Sequence, residues 1–168
     1  MVFLKLIIER ADQTFGKDGD SGAPVSLPAD IPSLVDAYLA NLFEARTDVV
    51  GEERRARRAA LACVGQNGIP KWRPLAAYEA RELKQEEVES LVVSGLISKD
   101  ATDAGDPLYK FALDPIAEYL AAKETVMAVR DSRMTAAAAR AACAQFEPAS
   151  EVVALVDRIA RAMGVKLD

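Results

Sequence analysis

Asp114 and Glu118 stand four residues apart, a spacing that puts two carboxylates on one face of a helix, where such a pair can serve as general acid and base. The chain has no histidine, which removes the commonest general base and the commonest metal ligand together. The two cysteines, Cys63 and Cys143, lie 80 residues apart in alanine-rich stretches, with no zinc or dithiol spacing. They read as small core residues in a reducing, cytoplasmic compartment. No Gly-x-x-x-x-Gly-Lys-Ser/Thr run cradles a phosphate, and no apolar strand ends in paired acids to hold a metal. Capping and surface charge therefore account for Asp114 and Glu118 better than catalysis does. No catalytic residue, cofactor or metal is expected.

Positive charge is the second chemistry to weigh. Between residues 51 and 84, Arg54, Arg55, Arg57, Arg58, Lys71, Arg73, Arg81 and Lys84 face only Glu52, Glu53, Glu79 and Glu82. A basic patch of Arg54, Arg55, Arg57, Arg58, Lys71 and Arg73 could neutralise nucleic-acid phosphates. The helix that would have to enter a groove instead opens with Gln85, Glu86, Glu87 and Glu89, whose carboxylates repel a duplex. The arginines read as a solvated face or as a contact to an acidic domain of the same polypeptide, with DNA binding the alternative. Trp72, between Lys71 and Arg73, is expected to plug a small core.

The elements that position these residues follow from periodicity. The chain has 168 residues, 51% of them hydrophobic and 6% aromatic, with a net charge of −5. That composition favours a mainly helical fold with a real core, and disfavours nucleic acid or an anionic membrane as partner of the whole surface. No run is long and apolar enough for a membrane span. Phe3, Leu6, Ile7 and Ala11 predict a helix over 2–15, whose abrupt start reads as a cut from something longer, with no signal peptide. Residues 16–32, rich in glycine and proline, predict a loop. Leu34 to Phe43 predict a helix capped by Ser33.

Further helices are predicted over 52–65, 75–83 and 85–95, the last ending on Gly95. Leu96 to Lys99 and Leu108 to Leu113 predict two strands joined by a polar turn. Tyr109, Phe111 and Leu113 alternate with Leu108, Lys110 and Ala112, then Asp114-Pro115 starts a long helix with no loop between. Asp114 is the expected N-cap. An alanine-rich helix over 134–143 and a last helix with Val152, Val156, Ile159, Ala160 and Met163 on its buried face complete the chain. Three helices followed by a β-hairpin is the order of a winged helix, predicted for 52–113 and flanked by helical segments.

Tyr109-Lys110-Phe111-Ala112-Leu113-Asp114 followed by Glu118-Tyr119-Leu120-Ala121-Ala122 resembles the end of the winged-helix domain in NACHT-type signal-transduction NTPases of the STAND group. The layout of about 1–125 is similar, and 108–122 carries the motif. The resemblance implies two regions: 1–50, the end of the NTPase's small helical domain, and 51–130, the winged helix; periodicity adds a C-terminal helical segment over 131–168. It implies a non-catalytic regulatory module that packs on an upstream nucleotide-binding domain of the same polypeptide and holds its on/off state. Many family members carry a histidine before the junction aspartate, touching nucleotide phosphate. Leu113 stands there, with Asp114 retained, and these two are the implied inter-domain contact.

Overall fold

The structure, a computed structural model, describes residues 31–44 and 48–167. The helix expected over 2–15 and the loop expected up to residue 30 lie outside the described residues. The chain divides into two compact units, Met1–Val49 and Val50–Asp168. The described residues are mainly helical, with one small antiparallel sheet.

In the first unit, α1 (Ile31–Phe43) buries Val35, Leu39 and Phe43, spaced four apart on one stripe. Ile31 is its first described residue, so Ser33, the expected cap position, lies within the helix. Pro32 fits a first turn because the first N–H groups of a helix have no intrahelical partner anyway.

The second unit runs α2 (Val49–Val64, whose first residue precedes the division), β1 (Arg73–Pro74), α3 (Leu75–Glu79), α4 (Gln85–Val93), β2 (Ile97–Ala101), β3 (Pro107–Phe111), α5 (Asp114–Arg130), α6 (Ala136–Cys143) and α7 (Val152–Ala162). The sheet order is β1-β3-β2, both pairings antiparallel, with Ile97 opposite Phe111 and Arg73 opposite Tyr109. β1 was not legible from periodicity. It has two residues, one a proline, and a proline fits a strand only at an edge.

Each transition has a local cause. α4 ends where Gly95 turns left-handed at φ +77°: its N–H reaches the Val92 carbonyl, and the Leu96 N–H reaches the Leu91 carbonyl. That closure sends Leu96 and Ile97, both buried, into the core and starts β2. The hairpin turn is tighter than expected. Thr102 accepts from the Asp106 N–H through its hydroxyl and from the Gly105 N–H through its carbonyl, so only residues 102–106 lie outside the strands. Tyr109 and Phe111 point inward, as the alternation required.

Two residues separate β3 from α5. This helix is buried nearly all round: Ile116, Leu120 and Val126 are each at most 1% exposed. Full burial of such a side chain contributes about 1.5–3 kcal/mol. α5 packs most extensively on α7, whose Val152, Val156, Ile159 and Ala160 form the buried stripe, with Met163 half-buried. Cys63 and Cys143 are buried free thiols. Among the described residues, no helix is long and apolar enough to cross a membrane.

Candidate functional site

The arginines of α2 leave the helix in different directions and meet different partners. Arg57 is 8% exposed and points into the protein. Its Nε donates to Glu124 Oε2 at 3.0 Å and its Nη1 to Glu53 Oε1 at 2.7 Å. Glu124, on α5 and 2% exposed, also accepts from Arg133 Nη1 at 2.8 Å. Lys123 completes the cluster, 3.2 Å from Glu53. Burial would raise the Glu53 pKa, but the charges of Lys123 and Arg57 outweigh it and hold the carboxyl below its ordinary value.

Arg55 pairs with Glu87 at 3.0 Å and with Glu52 at 3.4 Å, and Arg58 pairs with Glu82 at 3.0 Å. Arg54 is exposed. Lys71 lies 3.8 Å from Glu147, on the loop between α6 and α7. Of the six cations expected as one patch, Arg55, Arg57, Arg58 and Lys71 are thus dispersed over separate partners. Arg57, expected on a solvated face, lies inside because Glu124 and Glu53 together neutralise it there.

The acids of α4 are fixed as well. Glu87 accepts the Lys84 backbone N–H at 2.8 Å, a contact that with Arg55 lowers its pKa. Glu89 takes Lys99 at 2.6 Å and the Tyr109 hydroxyl at 2.8 Å, and these bonds lower its pKa too. The Lys99 ammonium also sits 5.7 Å from the Tyr109 ring centroid. Tyr78 closes the core beneath, edge-on to Tyr109 and donating to its carbonyl at 2.9 Å.

At the strand–helix junction Leu113 is half-buried and Asp114 is exposed. Leu113 is the N-cap residue, its carbonyl accepting from the Ile116 and Ala117 N–H groups, and no side chain caps the helix. Asp114, expected as the cap, is instead the first helical residue. Lys110 draws its carboxylate away, at 2.9 Å, and the negative charge still favours this end of the helix dipole. Glu118 faces the start of α7, where the Glu151 N–H lies 3.5 Å from Oε1, and burial raises its pKa. Asp114 and Glu118 therefore serve different neighbours.

Trp72, expected as a core plug, is 42% exposed. The chain folds back on α2 just before it: the Lys71 N–H reaches the Cys63 carbonyl at 3.2 Å, and the Cys63 thiol reaches the Lys71 carbonyl at 3.6 Å. That return leaves the indole outward, and Tyr78 takes the core position. Burial raises the pKa of both thiols, which suits packing and not nucleophilic attack. Arg73 follows on β1 with its Nε buried and, among the described residues, without a hydrogen-bond partner.

Periodicity missed Glu124 altogether and, for Arg57, missed its burial. Each sits on an apolar stripe: Glu124 four after Leu120 and eight after Ile116, Arg57 three before Ala60 and seven before Val64. A charge at such a position is the signal of a buried pair. Comparison with protein-family models, with curated proteins and with solved structures finds no match to this chain.

Proposed function

We propose that residues 51–130 are a winged-helix domain and that the chain is a non-catalytic regulatory module of a NACHT-type STAND NTPase. The element order helix–strand–helix–helix–strand–strand and the strand order β1-β3-β2 support the winged helix. Here α2, α3 and α4 are its helices and the β2–β3 hairpin its wing. The partner is an upstream nucleotide-binding domain of the same cytoplasmic polypeptide, met at Leu113 and Asp114.

In this reading the unit acts as a rigid lever. α5 leaves β3 after two residues and is clamped to α2 through Arg57 and Glu124. A push at the junction then moves the hairpin, α2 and the following helices together, which is what a domain-level switch requires.

One observation carries this reading over a free-standing DNA-binding protein. The α2 arginines Arg55, Arg57 and Arg58 hold carboxylates of this same chain, while α4 keeps Glu86, Glu87 and Glu89 on the helix that would face the bases. Titration of a labelled duplex at low salt tests it. The expected result is no saturable binding. A salt-sensitive affinity weakened by Arg54→Gln would overturn it in favour of DNA recognition.

A further inference from the structure

A hollow of about 310 Å³ opens between the C-terminal end of α2 and α3, with β1 at its side. Leu61 and Ala77 give it an apolar wall, and Gln66, Asn67, Arg73 and Arg81 its polar lining. Its volume is at the small end of ligand pockets, which run from about 300 to 1,000 Å³. Among the described residues no carboxylate lines it.

The two arginines here differ from Arg55, Arg57 and Arg58 of α2, which each hold a carboxylate. Among the described residues neither Arg73 nor Arg81 has a carboxylate partner. Arg73 is half-buried, and its Nε is buried and unpaired. An unsatisfied buried donor is costly, more so on a charged group. The sequence nevertheless keeps room for this guanidinium. Gly65 turns left-handed at φ +58°, and a Cβ there would collide with Nη2 of Arg73. The side chain thus lies directly against the backbone that closes α2.

The rim is held in place from outside. Asn67 donates to Glu147 at 2.8 Å, the Glu147 N–H reaches the Asn67 carbonyl at 2.9 Å, and Ser150 donates to the Gly68 carbonyl at 2.7 Å. Gly68 fits so closely that a Cβ would meet Phe146 and Ser150. The Asn67 side of the rim is therefore preformed, and less ordering is needed there when something binds.

We propose that this hollow is a binding site for a small organic anion, a carboxylate or phosphate ester with a short apolar body. Its oxyanion is taken by Arg73 and Arg81 and its apolar part by Leu61 and Ala77. A planar guanidinium suits both oxyanions because two N–H groups meet two oxygens. The site stands independently of the winged-helix reading.

The test uses the full chain, labelled with ¹⁵N, and three probes of the same apolar body: butyl phosphate, butyrate and butanol. Trp72 is the sole tryptophan and directly precedes Arg73, so its indole signal reports on the site together with the amides of Gly65 and Gln66. Saturable shifts at these signals with butyl phosphate or butyrate, but not with butanol, are expected, and the stronger of the two names the oxyanion. Arg73→Gln should weaken binding about ten-fold or more, the loss of one charge-assisted pair. Arg81→Gln, at an exposed position, keeps the test open if the first variant does not fold, and Arg54→Gln should change nothing. The proposal is overturned if neither anion gives saturable shifts, if butanol matches them, or if Arg81→Gln binds as the parent does.

Discussion

Arg57 Nε lies 3.0 Å from Glu124 Oε2, and both residues are less than a tenth exposed although 67 positions separate them. This pair ties the helix that opens the second unit to the helix that leaves its hairpin. Two charges removed from water persist only when each has good partners, and here Glu53 and Arg133 supply the remaining bonds.

Breaking one side of the pair should cost more than replacing both. Glu124→Ala leaves Arg57 buried beside Glu53 alone and should lower unfolding stability by about 3–5 kcal/mol. The double variant Arg57→Met, Glu124→Leu should recover much of that loss. Urea denaturation of the parent, Arg57→Met, Glu124→Leu and the double variant closes the cycle and gives the coupling directly.

Acid should weaken the same cluster. The Glu53 pKa is lower folded than unfolded, so its stabilising contribution is present above the ordinary carboxylate range and is lost as pH falls through the folded value. Thermal melts across the acid range should show this slope, and Glu53→Gln should flatten it.

Glu118 works in the opposite sense. Burial raises its folded pKa, so the fold favours the protonated acid and loses stability as pH rises past the unfolded value. Glu118→Gln should therefore be more stable than the parent at neutral pH and not at acid pH, read from the same melts.

α5 closes as α4 does, with the Ser132 N–H reaching the Val129 carbonyl and the Arg133 N–H reaching the Ala128 carbonyl. Here the left-handed residue is a serine, at φ +58°, not a glycine. Ser132→Gly should stabilise by about 0.5–1 kcal/mol, the relief of the Cβ being partly offset by unfolded-chain entropy. Denaturant midpoints check it.

Gly65 and Gly95 share a positive φ but differ in surroundings. A Cβ at Gly95 meets nothing within 4 Å, so Gly95→Ala should cost about 1 kcal/mol of conformational strain. Gly65→Ala adds a collision with Arg73 and should cost measurably more, while displacing the guanidinium from the hollow. Denaturation of the two variants side by side separates these terms.

Local signals were legible and long-range ones were not. The alternation through Tyr109 and Phe111, the turn at Gly95 and the start of α5 near Asp114-Pro115 depend on neighbours within a few residues, and each appears close to where periodicity puts it. Ion pairs are set by tertiary approach, so a run of arginines could not reveal that Arg57 meets Glu124 or that Arg55 meets Glu87. Trp72 misled because size and hydrophobicity favour burial, whereas the fold-back between Lys71 and Cys63 decides its direction. The two-residue β1 has no period to read, and Arg73 gains its surroundings only once β1 pairs with β3.

The most direct test of the regulatory-module reading is to capture the native polypeptide with an antibody to this chain, size it and sequence its peptides by mass spectrometry. The account predicts a species several times heavier than 18.1 kDa, with peptides carrying a phosphate-binding Gly-x-x-x-x-Gly-Lys-Ser/Thr sequence upstream of this region. A native polypeptide of about the same size as the chain itself, with no such peptide, would contradict it.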